Sequence, residues 1–283
     1  MNVVREQVAA AVARLAAAAV PSPSYDAEEL AAYSLGVERR ELWRQERTGA
    51  AFPAYVERRA AREPLQHITG RAYFRHVELA VGPGVFVPRP ETELVAGAAV
   101  EEAQRHAHPV VVDLGTGSGA IALAVATEIP SVRVHAVELE AAAYAWARRN
   151  LHGSGVELRQ GDLAGAFPEL DGRVDVVVSN PPYIPLGAVI RDPEVAAHDP
   201  APALWSGTDG LDAVRAVEQR AARLLRAGGL VVVEHADLQG STAPEVFAAA
   251  GGWDEVTDHP DLAGRPRYLT ARRSAAPAPG GER

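Results

Sequence analysis

Residues 176–185, VVVSNPPYIP, run a set of strand-forming valines straight into an asparagine, two prolines and a tyrosine. Two adjacent prolines cannot extend a central strand, because each lacks the N–H that a neighbouring strand would need. The chain must therefore leave its sheet at Asn180. That places the Asn180 amide, the carbonyls of Pro181 and Pro182, and the Tyr183 ring on a stiff turn, where they can hold and orient a ligand. A second constellation lies upstream in VVVDLGTGSGAIALAVA (110–126), where Gly115, Gly117 and Gly119 separate a strand pattern from a helix pattern. Glycines there permit a tight turn and let the backbone approach a ligand closely. The strand before the loop ends in Asp113, and the next strand ends in Glu138, 19 residues beyond Gly119. An acidic residue at that place can accept hydrogen bonds from both ribose hydroxyls of a nucleoside. A plain glycine-rich connection would not need Glu138, so the pattern points to a cofactor site.

The elements that must position these groups follow from periodicity. From residue 109 onward, VVVDL, VRVHAVE, VELRQ, VDVVVSN, LVVVEH and RYLTAR read as strands, with helical stretches between most of them. Val-rich strands alternating with helices imply a doubly wound, mostly parallel α/β sheet. Residues 1–70 read instead as short helices. The first has Val4, Val8, Val12 and Leu15 on one face; Asp26 with Glu29 suggests a capping box, Gly36 a stop and Pro53 a first helical position. AYFRHVELAVGPGVFV (72–87) alternates apolar and polar residues around Gly82-Pro83-Gly84 and reads as a β-hairpin. PRPETELV opens a helix with acidic residues in its first turn. The expected organisation is a helical domain over 1–70, a hairpin linker over 71–90, a catalytic domain over 91–273 and an unstructured tail over 274–283.

A dinucleotide fold would show G-x-G-x-x-G, whereas this loop is G-x-G-x-G preceded by Asp-Leu. It resembles the first motif of the class I S-adenosylmethionine-dependent methyltransferases. The resemblance implies a Rossmann-like methyltransferase sheet. It also implies that Asp113, Gly115, Thr116, Gly117, Ser118 and Gly119 border the methionine part of S-adenosyl-L-methionine, with S-adenosyl-L-homocysteine as product. Glu138 would hold the ribose. In QGDLAGAF (160–167), Asp162 stands where this family often holds the adenine amino group, although Asp162 alone reads equally well as a loop residue. Asn-Pro-Pro-Tyr resembles the turn of methyltransferases acting on a planar nitrogen, whose lone pair is delocalised and poorly nucleophilic. The Asn180 oxygen and the Pro181 carbonyl would each accept one hydrogen of the –NH2 group, with Tyr183 covering the planar group. Such positioning is a recognised source of rate.

DNA adenine, RNA guanine and protein glutamine methyltransferases share such turns, so other segments must select among them. PLQHITGRAYFRHVELAVGPGVFVPRPETELV (64–95) and DPEVAAHDPAPALWSGTDGLDAVR (192–215) resemble the protein-(glutamine-N5) methyltransferases of peptide chain release factors. With the two motifs above, the likeness covers residues 64 to about 272. It implies methylation of the Gln in the release factors' Gly-Gly-Gln loop, with the helical domain gripping the release factor and Asn180, Pro181, Pro182 and Tyr183 lining the substrate site. One departure stands out: bacterial relatives often carry Trp after the Asp of GD, and here Leu163 occupies that place beside the expected adenine.

Composition narrows the alternatives. The 283 residues include no cysteine, which excludes disulfides and thiol chemistry and suits a cytoplasmic protein. The formal charge is −9, and every basic residue is arginine. Residues 1–86 carry 11 Arg against 10 acids, so they lack the basic excess that phosphate contacts favour. That argues against the main rival, a nucleic-acid amino-methyltransferase. Intact Gly115, Gly117, Gly119, Glu138 and Asn180 argue against a second rival, a binding module that has lost activity. No membrane segment and no metal site are expected, a monomer is, and His106 with His108 reads as an ordinary loop. Glu234 and His235 read as structural, His67 as a packed histidine, and Arg89 and Glu91 either as cofactor neighbours or as capping residues.

Overall fold

A computed structural model of the protein describes residues 3–275. It contains two compact units, one formed by Met1–Arg71, Val81–Pro83 and Ile190–Asp199, the other by the rest. The tail expected to lack structure lies, from residue 276 on, outside the described residues.

The first unit packs the helices Val3–Ala17, Pro23–Leu35, Phe52–Ala60 and Leu65–Thr69 around Val4, Val8, Leu15, Leu30, Phe52 and Val56. The amphipathic stripe foreseen for the first helix is the buried one, with Val12 at its margin. Gly36 ends the second helix in a left-handed conformation, and Pro53 lies in the first turn of the third. Asp26 is not the cap suggested by its spacing. The helix begins at Pro23 after Ser22, and Asp26 is buried one turn in, where its Oδ2 accepts from Arg59 Nε at 2.6 Å. Arg59 also pairs with Glu194 at 2.8 Å, and Arg62 reaches the same carboxylate at 2.9 Å. The short helix Pro193–His198 is thereby built into this unit, far from it in sequence.

The second unit contains two sheets. Strands β1 (Arg71–Phe74) and β2 (Val77–Ala80) form a two-stranded hairpin. Its turn is at Arg75-His76, with Arg75 at φ 49°, rather than at Gly82-Pro83-Gly84. The main sheet comprises β3 (Val110–Leu114), β4 (Arg133–Glu138), β5 (Glu157–Gln160), β6 (Val174–Ser179), β7 (Leu225–Glu234), β8 (Trp253–Pro260) and β9 (Pro266–Arg273). Its order is β5-β4-β3-β6-β7-β9-β8. The first five of these neighbours pair in parallel, and β9 is antiparallel to both β7 and β8. Strand β8 was not foreseen. Its sequence, WDEVTDHP, buries only Trp253 fully and otherwise presents polar residues at the sheet edge. In contrast β3 and β6 are buried along their whole length, as their valine runs require. The chain proceeds outward from β3 to β5 and returns to β6, so the direction of winding reverses between β3 and β6. Ligands of open parallel sheets bind at the carboxyl ends of the strands at such a switch point. Among the described residues no helix is long and apolar enough to cross a membrane.

Candidate active site

The glycine loop springs from the carboxyl end of β3, on one side of the switch point. Gly115, Gly117 and Gly119 adopt φ values of 75°, 58° and 86°, a region that side chains disfavour. A Cβ added at Gly115 or Gly117 would meet nothing within 4 Å, so these two glycines face open space of the kind a ligand would fill. At Gly119 an added Cβ would lie 3.0 Å from Leu151, so this glycine serves packing instead. The loop is pinned from several sides. The amides of Gly115 and Thr116 both donate to the Val137 carbonyl, at 3.0 and 2.9 Å. Asn150 Nδ2 donates to the carbonyls of Ser118 and Ala80, both at 2.9 Å.

Asp113 supports the loop from beneath. Its Oδ2 accepts from the Thr116 hydroxyl at 2.6 Å and the Ala122 amide at 3.1 Å. Its Oδ1 is buried without a hydrogen-bond partner among the described residues. Complete burial pushes its pKa up to about 7, against the pull of those two donors. Glu138 closes the other side: Oε2 accepts from the Gly117 amide and Oε1 from the Glu140 amide, both at 2.8 Å. Burial raises its pKa, and the backbone amides counter only part of that. Each oxygen keeps a further lone pair for a donor such as a ribose hydroxyl. The open glycine cradle, the orphaned Asp113 oxygen and the bidentate Glu138 together fit a nucleoside cofactor bearing an amino group.

Asp162 follows β5, and its neighbour Gly161 donates to the Glu138 carbonyl at 2.9 Å. Asp162 itself is exposed and caps a short 3-10 turn through Oδ1, which accepts from the Ala164 amide at 2.8 Å. Leu163 is partly buried against the hydrophobic core. Leu139, which no sequence pattern singled out, is 56% exposed immediately after Glu138 and offers an apolar surface there.

The Asn-Pro-Pro-Tyr turn leaves β6 on the other side of the switch point. Ser179 Oγ donates to the Leu114 carbonyl at 2.6 Å, which clamps this turn beside the root of the glycine loop. Asn180 Nδ2 donates to Thr92 Oγ1 at 3.1 Å, leaving Oδ1 as the end available to a substrate. Tyr183 is held through its hydroxyl, which donates to Glu234 Oε1 at 3.3 Å. Burial and the Glu234 charge push the Tyr183 pKa well above its ordinary value. Its carbonyl accepts from Gln239 Nε2 at 3.1 Å, and Ile184 forms a parallel bridge with Trp205. Gly210, at φ 78°, approaches so closely that an added Cβ would lie 2.5 Å from the Tyr183 carbonyl. The stretch SGTDGL (206–211) thus buttresses the turn.

Of the remaining residues, Arg89 and Glu91 lie near the turn, the Arg89 charge acting on Tyr183 and the Glu91 charge on Glu234. Arg89 lies over the Phe86 ring at 4.9 Å, and Glu91 is the N-terminal flank of the helix Thr92–Ala103. His235 is buried and pairs with Asp258 at 2.9 Å. His67 packs edge-on against His198. His106 lies 3.6 Å from Glu102, and no cluster of metal-ligating residues occurs among the described residues.

The model of the PrmC N-terminal domain matches residues 6–70, and that of the methyltransferase small domain matches residues 78–191. A release factor glutamine methyltransferase of Streptomyces coelicolor is 59% identical, over 97% of this chain and 99% of that protein. The chain belongs to the release factor glutamine methyltransferase family. The Mycolicibacterium smegmatis member is 50% identical over 97% of this chain and 99% of its own. Another relative is a 4-amino-L-phenylalanine/4-methylamino-L-phenylalanine methyltransferase of Streptomyces pristinaespiralis, 44% identical over 81% of this chain and 79% of that protein. Among solved structures, a Thermus thermophilus 16S rRNA N2 methyltransferase in complex with AdoMet and guanosine superposes with TM-score 0.50 at 22% identity, over 72% of this chain and 49% of that one. That likeness carries the family member's fold: a mostly parallel methyltransferase sheet.

Proposed function

We propose that this protein uses S-adenosyl-L-methionine to methylate the side-chain amide nitrogen (N5) of the glutamine in the Gly-Gly-Gln loop of class I peptide chain release factors, acting as a cytoplasmic monomer. The observation that carries this reading is the full-length identity with release factor glutamine methyltransferases, which includes the helical N-terminal domain. The geometry supplies the chemistry. S-adenosylmethionine, when bound, supplies an electrophilic methyl carbon on a sulfonium. Asp113 and residues 115–119 would hold its methionine part, with Glu138 on the ribose, and Asp162, Leu163 and Leu139 beside the adenine.

The Asn180 oxygen and the Pro181 carbonyl would each accept one hydrogen of the substrate –NH2. That arrangement turns the nitrogen lone pair out of conjugation and toward the methyl carbon. As the N–C bond forms and the S–C bond breaks, positive charge develops on nitrogen, and these two acceptors bind it more tightly than they bind the neutral amide. The methylated nitrogen is then strongly acidic and loses one of the two protons to water, so no tuned base is needed. Tyr183, fixed at both its hydroxyl and its carbonyl, covers the planar amide and excludes solvent from one face.

The test is transfer of labelled methyl from S-adenosylmethionine to a purified release factor, with free 4-aminophenylalanine and ribosomal RNA as competing acceptors. Label on the release factor that disappears when its loop Gln is replaced supports the reading. Label on the amino acid or RNA alone overturns it.

A further inference from the structure

We propose that Leu186, Val189, Leu238 and Leu262 form an apolar rim beside the Asn-Pro-Pro-Tyr turn that docks the folded protein carrying the acceptor glutamine. The inference deepens the proposed function and rests on it. Among the described residues eight large apolar side chains stand exposed, and these four include the three most exposed, Leu262 at 95%, Leu238 at 90% and Val189 at 88%. Apolar residues exposed singly are ordinary on a soluble protein, whereas several gathered on one face mark a contact surface.

The fold does the gathering. Strands β6, β7 and β9 are successive neighbours in the sheet, with β6 parallel and β9 antiparallel to β7. The carboxyl ends of β6 and β7 and the start of β9 therefore share one edge. Leu186 and Val189 follow the turn that leaves β6, Leu238 lies just beyond the end of β7, and Leu262 lies just before the start of β9. Gln239, next to Leu238, donates Nε2 to the Tyr183 carbonyl at 3.1 Å. A Cβ added at Gly240 would lie 2.6 Å from Pro266, so the loop after β7 packs on the first residue of β9. The glycine loop, Glu138 and Asp162 belong to β3, β4 and β5, so the rim borders the acceptor half of the site alone.

The tips that carry these side chains are held in place. Residues 237–240 and 261–264 repeat one pattern, Asp-Leu-x-Gly. Asp261 Oδ1 accepts from the amides of Ala263 and Arg265 at 2.9 and 3.0 Å, and the Asp261 amide donates to the Arg265 carbonyl at 2.7 Å. The Ala236 amide donates to Oε1 of the buried Gln239 at 3.0 Å, and the Leu186 amide to the Gly207 carbonyl at 2.7 Å. Contacts made through such ordered turns cost little conformational entropy. A polar side chain would serve either tip without setting hydrocarbon against water. The turn itself decides what covers the rim. A glutamine held at Asn180 and Tyr183 belongs to a loop, and the protein flanking that loop must pass over the residues beside the turn. A free amino acid or a flipped base would reach Asn180 without covering them. The occupant is thus the apolar surface next to the acceptor loop of a folded protein.

The test compares wild type with Leu238→Ser, Leu262→Ser, the Leu238→Ser/Leu262→Ser double variant and Leu238→Met in the full-length enzyme. Readouts are kcat and KM with release factor, the dissociation constant for release factor at saturating S-adenosylhomocysteine, cofactor affinity, thermal midpoint and sedimentation. Each Ser variant should raise KM and that dissociation constant roughly three- to tenfold, and the double variant should raise both further. The kcat at saturating release factor, the cofactor affinity and the thermal midpoint should stay at wild-type values, the pattern of lost docking rather than lost chemistry. Leu238→Met, which keeps the apolar surface, should bind as wild type. A double variant with wild-type KM and release factor affinity would overturn the inference. A fall in kcat at unchanged KM would overturn it too, showing that the leucines only brace the turn. A wild-type dimer that dissociates in the double variant at unchanged KM would assign the face to a second copy of the chain instead. Wild-type enzyme that transfers no methyl to release factor removes the proposed function and this inference with it. Methylation by wild type and double variant with equal constants removes the inference alone.

Discussion

Replacing Glu138 by Ala should weaken cofactor binding by about a hundredfold while leaving the protein folded. In the structure both carboxylate oxygens are already engaged, Oε2 by the Gly117 amide and Oε1 by the Glu140 amide, each at 2.8 Å. Burial nevertheless raises its pKa, so the ionised form is short of donors before ligand arrives. Two ribose hydroxyls would fill that deficit. A pair of hydrogen bonds to a charged acceptor is worth about 1.5–3 kcal/mol, or about 10- to 150-fold in dissociation constant. The Ala variant also frees Gly117 from its tether, and the loop must then be ordered on binding, which places the expectation toward the upper end. Glu138→Gln should fall between: its oxygen can serve one amide, but its NH2 group then opposes the other. Titration calorimetry with S-adenosylmethionine and S-adenosylhomocysteine measures both, with the thermal midpoint confirming folding. An affinity within about twofold of wild type in folded Glu138→Ala would refute the assignment.

Three further outcomes follow from the same geometry. Gly210→Ala should lower both stability and kcat, because its Cβ would stand 2.5 Å from the Tyr183 carbonyl at a left-handed φ of 78°; unchanged kinetics would show that the SGTDGL stretch does not brace the turn. Arg59→Ala should destabilise the helical unit by about 3–5 kcal/mol in denaturant unfolding, since it strands the buried Asp26 carboxylate and removes one partner of Glu194; a loss below about 1 kcal/mol would show the cluster to be solvated. Glu234, whose carboxyl is pushed up to about 7, binds a proton in the folded state that the unfolded chain has already released. Its contribution to stability is therefore present at low pH and is lost as pH rises toward 7, so relative to wild type Glu234→Gln should gain about 2–3 kcal/mol between pH 5 and pH 8. A pH-independent difference between the two proteins would contradict the burial argument.

The central strands β3, β6 and β7 were legible because burial on both faces writes itself as runs of valine, and the glycine loop because φ above zero leaves few residue choices. The edge strand β8 escaped, since a half-solvated strand of Asp, Glu, Thr and His carries no apolar signature. The hairpin turn was misplaced for a related reason: Gly82-Pro83-Gly84 is the stronger turn signal, yet the chain turns at Arg75. Arg75 is held there by its own contacts, pairing with Glu128 at 2.6 Å and donating its amide N–H to the Glu93 carboxylate at 2.9 Å. Local spacing likewise suggested that Asp26 caps a helix, whereas its partner Arg59 lies 33 positions away. The same limit governed the site. Asn180, Glu138 and Asp113 stand inside short motifs, while Thr92 and Glu234 reach Asn180 and Tyr183 only through the fold. The annexation of Ile190–Asp199 by the helical unit rests on the ion pairs of Glu194, which no local pattern reveals.

The most direct test is the single-turnover rate of methyl transfer to a release factor by Asn180→Ala, measured with cofactor saturating. Asn180 orients the acceptor nitrogen and its loss removes one preorganised contact to the developing charge. The rate should therefore fall on the order of a hundredfold or more, while the dissociation constant for S-adenosylmethionine changes little. A folded Asn180→Ala protein that transfers methyl to the release factor near the wild-type rate would contradict the account.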